Sequence, residues 1–184
     1  IPAMDTIDNR HVASGSLEGG IGWYRKRFVV PKEMGEYRIY LHFGGVYRDS
    51  LVFLNEYDLG RHGSGYTSFY YDVTDVINFD EDNLLAVRVD ASGHEGWWYE
   101  GGGIYRNVWL EIVPAIHIEP WGMDFHATPE KINGFNADFA HITVKTEVVS
   151  RIDYNHEIIV EQILIDKEDN KVGTNQTITD ALAW

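Results

Sequence analysis

Apolar residues recur at every second position along most of this chain, and the rhythm of an amphipathic helix is almost absent. A period of two is satisfied by extended strands, whose successive side chains point to opposite faces. In EYRIYLHF, Tyr37, Ile39, Leu41 and Phe43 share one face, with Arg38, Tyr40 and His42 on the other, which predicts a half-buried strand. DSLVFLN, residues 49 to 55, is apolar on both faces, as a central strand would be. TSFYYDVT, NLLAVRVD and NVWLEIVP repeat the alternation at 67 to 74, 83 to 90 and 107 to 114. Between them stand turn signals: PKEMGE, FGGVYRD, NEYDLG, HGSGY, FDEDN and ASGHEG. Short strands punctuated this way predict an all-β sandwich or jelly roll. One helical turn is expected around TDVINF, with Thr74 as its cap.

A boundary is expected just after Pro114, where the chain starts afresh. Two long alternating runs follow, at 139 to 153 and 156 to 173, and in the first Ile142, Val144, Thr146 and Val148 share a face. KEDNKVG reads as a hairpin turn. The expected organisation is one domain at 1–114 and an immunoglobulin-like sandwich at 115–184. A complete sandwich of that kind takes about 100 residues, so the second domain is expected to be partial and the chain a piece of a longer protein.

Composition removes several function classes. A net charge of −14, with no run of Lys or Arg, argues against nucleic acid and anionic membrane surfaces as partners. With no cysteine there is neither disulfide framework nor thiolate chemistry. The eight histidines form no His-x-His or His-Glu-x-x-His pattern, so no metal site is expected. No cofactor is expected either: the GGG at 101 to 103 leads into an aromatic, β-branched run, whereas a phosphate loop needs a helix N-terminus behind it. A serine hydrolase elbow is absent from the sequence.

EGWWYEGGGIYRNVWLEI, residues 95 to 112, carries the densest chemistry. Trp97, Trp98 and Tyr99 are either a corner of core or a platform for the flat face of a sugar. Neighbouring residues of an extended segment point opposite ways, so both can hold. Glu95 and Glu100 flank the rings and suit hydrogen bonds to hydroxyls or an ion pair with Arg106. The glycines let the chain turn sharply into the strand that begins at Ile104.

The ordered series GIGWYRKRFVVP, LHFGGVYRDSLVFLN, LGRHGSGYTSFYYDVTD, NLLAVRVD and WWYEGGGIYRNVWLEI resembles the N-terminal jelly-roll domain of glycoside hydrolase family 2, over about residues 20 to 114. That family contains β-galactosidases, β-glucuronidases and β-mannosidases, and the flavour here is most similar to β-galactosidase types. Residues 115 to 184 resemble the start of its immunoglobulin-like second domain. The resemblance implies an all-β fold: a galactose-binding-like jelly roll followed by a partial immunoglobulin-like sandwich. It also implies that the two catalytic glutamates lie on a C-terminal β/α barrel, so that this piece has no catalytic residue. Asn55-Glu56 stands where relatives carry an Asn-Gly hairpin, and is expected to be a turn.

On the same resemblance the 94 to 100 loop reaches toward a galactoside-like sugar, with Glu95, Trp97, Trp98, Tyr99 and Glu100 as substrate contacts. Arg48, Asp49 and Arg106 are expected to fix the loops through arginine–carboxylate pairs, and His62 and Tyr66 to shape a neighbouring loop. Two features depart from the family pattern. Trp97 stands where some relatives place an Asp, and IPAMD keeps only the proline of a Pro-His-Asp-Trp motif. The expected partners are a carbohydrate and the catalytic barrel of the same parent chain. An autonomous carbohydrate-binding module and a purely structural sandwich are the alternatives.

Overall fold

A computed structural model describes residues 20–93, 101–132 and 136–181, and the side chains of all of these except 131, 132 and 136–138. Glu95, Trp97, Trp98, Tyr99 and Glu100 lie outside the described residues. The chain divides into two units, Ile1–Ile112 and Val113–Trp184. Thirteen strands and two short 3-10 turns make up the regular structure of the described residues, with no α-helix among them. The all-β expectation holds.

In the first unit, β1 (Ile21–Val29), β7 (Asp82–Asp90), β4 (Ser50–Leu54) and β5 (Tyr57–His62) form a four-stranded antiparallel sheet in that spatial order. A second sheet has the order β6 (Phe69–Asp72), β2 (Arg38–Phe43), β9 (Val108–Val113). The pleat decides what lies between them. Ile39, Leu41, Phe43 and Phe69 from one sheet meet Val52, Leu54, Leu85, Val87 and Val89 from the other in one buried cluster. Phe43 and Phe69 stack at 4.7 Å. Burying each such side chain contributes about 1.5 to 3 kcal/mol.

Strand β2, at the centre of this sheet, is buried on its second face as well. Tyr40 is 2% exposed and His42 5%, so β2 is not the half-buried strand its alternation suggests. The reason is aromatic packing: the His42 ring stacks on Trp109 at 5.3 Å and on Tyr70 at 5.4 Å, and Tyr40 meets Tyr70 edge-on.

Two local expectations are revised. Thr74 does not cap the turn at Thr74–Val76. Its hydroxyl accepts the Ile39 N–H and donates to Asp72, whose Oδ1 also accepts the Thr74 N–H. NEYDLG is not all turn either. Only Asn55 and Glu56 separate the paired residues Leu54 and Tyr57, with Asn55 at φ 56°, and the rest enters β5.

Asn83, wholly buried, ties this hairpin to the loop before β7. Its Oδ1 accepts from Asn78 N–H at 2.8 Å and from the Asn55 amide at 3.0 Å, and its Nδ2 donates to Asn78 O and Glu81 O. Asn55 in turn donates to Val76 O and accepts the Leu84 N–H.

The second unit is two hairpins. β10 (Ile116–Ile132) pairs with β11 (Asn136–Ser150), and β12 (His156–Ile165) with β13 (Lys171–Ala181). Their inner faces line a cleft of about 780 Å³ that includes Val144, Val148, Ile158 and Val160. Gln162 crosses it, donating to Thr146 Oγ1 at 3.0 Å. The β10–β11 face continues past the cleft through Ile142, Phe125 and Met123, all exposed.

The asparagine network yields a test. Asn83→Leu leaves Asn78 and the Asn55 amide without their buried partner and is expected to cost about 2 to 4 kcal/mol in urea unfolding. Asn55→Gly, which keeps the turn but loses three bonds, is expected to cost less. Equal stability of all three proteins would show that the network contributes nothing.

Candidate functional site

The loop that carries the sequence-predicted contacts leaves from the end of β7 and returns through the glycines. Asp90 N–H donates to Arg48 O at 3.1 Å, and Ala91 N–H to Gly20 O at 2.9 Å, which holds the outgoing stem. On the return, Gly101 and Gly103 adopt φ 70° and 112°, backbone that side chains rarely take. A Cβ at Gly103 would also collide with the Tyr24 hydroxyl. The chain then forms β8 (Gly103–Ile104), which pairs with β3 (Val46–Tyr47). The glycines thus set β8 against β3, directly before Arg48 and Asp49, and the Tyr47–Arg48 peptide is cis.

Arg48, Asp49, Arg61, Gly63, Asp90, Ser92 and Gly93 line a polar recess of about 360 Å³ at these stems. Asp49 sits at φ 46° between β3 and β4. Both its oxygens are engaged by Arg61, through Nε and, at 2.7 Å, Nη2. The pair follows from register, because Leu51 lies opposite Arg61 across β4 and β5. Asp90 closes an Asx turn: its Oδ1 accepts the Ser92 hydroxyl at 2.5 Å and the Ser92 N–H at 3.1 Å, while Oδ2 accepts Arg88 at 2.8 Å. The Arg48 guanidinium lies against Gly93, where a Cβ would strike it.

These bonds set the charge states. The Ser92 hydroxyl and N–H, then Arg88, pull the Asp90 carboxyl down to about 2, and the hydrogen bond from Arg61 lowers that of Asp49. A glycosidase acid needs a carboxyl that still carries its proton near neutral pH. Both acids of the recess are held ionised. The recess therefore holds two fixed carboxylates beside guanidinium groups and has no carboxyl poised for proton transfer among its described residues.

The other predicted residues settle nearby. Arg106 lies over the Tyr105 ring at 5.4 Å and reaches Gly44 O at 3.5 Å. The Tyr105 hydroxyl donates to Gly65 O at 2.8 Å, which links the loop after β5 to the segment after β8. His62 contacts Thr67 Oγ1 at 3.0 Å and stacks on Phe69 at 4.0 Å, and burial lowers its pKa.

Sequence reasoning missed Arg61, Ser92 and a second cluster. The pairing of Asp49 with Arg61 requires the β4–β5 register, which only β5 itself reveals. Ser92 had a usable signal, the Asp-x-Ser of an Asx turn after a strand. On the outer face of the three-stranded sheet, His42 Nε2 lies 2.6 Å from Glu111 Oε2 beneath half-exposed Trp109.

The chain as a whole is similar to known proteins. Residues 3–95 match the family model described as the β-galactosidase second all-beta domain. A β-galactosidase of Bacteroides ovatus is 39% identical over 92% of this chain and 19% of its own length. A β-glucuronidase of Formosa agariphila is 30% identical over 90% of this chain and 19% of its own. The crystal structure of a glycosyl hydrolase family 2 member from Bacteroides cellulosilyticus superposes with a TM-score of 0.79 at 31% identity, covering 89% of this chain and 22% of that one. The chain spans about a fifth of the length of these relatives.

The recess carries its own prediction. A carboxyl with a folded pKa near 2, below the ordinary 3.8, stabilises the fold above about pH 4 and loses that contribution as pH falls toward 2. Asp49 acts in the same direction. Asp90→Asn is therefore expected to flatten the loss of stability between about pH 4 and pH 2, followed by tryptophan fluorescence. An unchanged acid limb would mean that these bonds do not persist in solution.

Proposed function

The chain belongs to the β-galactosidase second all-beta domain family, as a non-catalytic β region of glycoside hydrolase family 2 glycosidases, and from that premise we propose that it forms one wall of the sugar pocket of a longer enzyme. The observation that carries this reading is the recess of Arg48, Asp49, Arg61, Asp90 and Ser92 at the stems of the 94 to 100 loop. Its acids accept from their own neighbours and hold a fixed geometry, so a ligand that meets them pays little for ordering them. Trp97 or Trp98 would stack on the apolar face of the sugar, contributing about 1 kcal/mol, and Glu95 and Glu100 would accept hydroxyl protons. Arg48, Asp49 and Arg106 hold the loops that present them.

The parent enzyme is proposed to be a retaining glycosidase acting on β-galactosides. Its two catalytic glutamates would lie on a barrel outside these residues. A β-glucuronide is the competing substrate, since relatives of both names cover most of this chain. Residues 115–184 are read as the opening strands of an immunoglobulin-like sandwich that joins the jelly roll to the rest.

In the full-length parent, Trp97→Ala and Arg61→Ala are each expected to raise KM for nitrophenyl β-galactoside about three- to tenfold while kcat stays within about twofold. Loss of a catalytic group would instead collapse kcat. An unchanged KM in both variants would remove the wall from the pocket. Calorimetry of the isolated chain with galactose and lactose should be silent, and measurable binding would favour an autonomous module.

A further inference from the structure

The hairpin of β12 and β13 has two unlike faces. Ile158, Val160 and Gln162 look into the cleft with their partners Thr179, Thr177 and Asn175. On the other face Ile159 lies directly opposite Ile178, 63% and 64% exposed, with Ile163, 47% exposed, beyond Glu161 on the same face. Pairing across the hairpin accounts for a β-branched residue at each place. It does not account for leaving most of two adjacent isoleucine side chains in water.

Charge says what such a face can accept. Glu157 and Asp180 flank the isoleucine pair on one side, opposite each other, and Glu161 flanks it on the other, with Lys171 3.8 Å from Glu161. A second copy of this chain docked through the same face would set those acids against themselves in a protein already at −14. The fitting partner is an apolar surface rimmed with lysine or arginine. The relatives are about five times longer than this chain, so such a surface has room to exist on the same polypeptide.

We infer that the Ile159–Ile178 face is an intramolecular docking surface, covered by another part of the parent chain that presents apolar side chains with a basic rim. The inference rests on the reading of this chain as part of a longer glycosidase, and adds to it a surface far from the sugar recess in sequence.

Thiol labelling tests it, because these 184 residues contain no cysteine. Ile159→Cys and Ile178→Cys are made singly in the full-length parent and treated with a small maleimide, and the labelled peptides are quantified by mass spectrometry. Glu168→Cys, in the exposed turn of the same hairpin, is the reference. Both isoleucine sites are expected to react at least about tenfold more slowly than the reference, as in the water-excluded centre of an interface. Labelling at the reference rate overturns the inference. Protection that disappears on dilution together with a dimer in sedimentation also overturns it, by naming a second copy as the occupant. Hydroxyl-radical footprinting of Ile159 and Ile178 in the unsubstituted parent gives the same answer if a cysteine variant fails to fold. Failure of the underlying reading shows separately, as a natural protein whose intact mass is no larger than that of this chain.

Discussion

The pleat of β7 places Asn83, Leu85, Val87 and Val89 between the two sheets and turns Leu84, Ala86, Arg88 and Asp90 to the other side. β7 is hydrogen-bonded on both edges, to β1 and to β4, so its register is held twice. A slip of one residue would drive Arg88 and Asp90 into an apolar slab, where an ionised group is costly even when paired. The two ends of the strand then do different things. Asn83 locks the hairpin end through the amide network, and Asp90 opens the recess end. What the loop stems can present is thus set by where hydrocarbon must go.

The recess follows from that register with few further ingredients. Arg88 and Asp90 lie two apart on the same face of β7, which lets one pair with the other. Asp49 leaves β3 just as β4 begins, and β4's own pairing with β5 delivers Arg61 to it. Each acid is neutralised by a cation from an adjacent or identical strand, so a chain of net charge −14 assembles a local patch of balanced charge. The Asp49–Arg61 pair, with Arg61 largely exposed, contributes little to stability, and the part-buried Arg88–Asp90 pair somewhat more. Their effect is on geometry and protonation: planar guanidinium–carboxylate pairs and a serine-closed turn hold their atoms still, and they keep both carboxylates ionised. A proton donor needs the opposite of the second property.

How much of this the sequence shows depends on whether the cause is local. Alternation in LLAVRVD marks β7, which buries every second residue, and the apolar run LVFL marks β4; the alternation in IYLHF marks β2 as a strand but understates its burial, which is nearly continuous. The β5 strand escapes notice because Asp58 and Gly60 break its pattern, and both serve the bulge in its pairing with β4, where Asp58 accepts the Gly60 N–H. Similarly, β10 runs through Pro120, Gly122 and Pro129, residues that argue against a strand. The pairing with β11 skips from Ile118 to Met123, so Pro120 and Gly122 fall within the irregularity. Burial of Tyr40 and His42 on the second face of β2 depends on rings contributed by β6 and β9. Of the site residues, Arg48, Asp49 and Arg106 stand in a legible motif, whereas Arg61 reaches Asp49 only through long-range register.

The two units close their apolar surface to different degrees, and this difference bears on what each can do alone. The first unit seals thirteen buried apolar side chains into one cluster. In the second, the corresponding layer is a cleft crossed by the Gln162–Thr146 bond, and the face that lines it runs on through Val144 to exposed Ile142, Phe125 and Met123. Each large apolar side chain left in water forgoes about 1.5 to 3 kcal/mol of burial. Two two-stranded hairpins have little else to offset the entropy of ordering their strands. The described part of the second unit thus leaves more apolar surface in water than the first, whose recess is built on a sealed core.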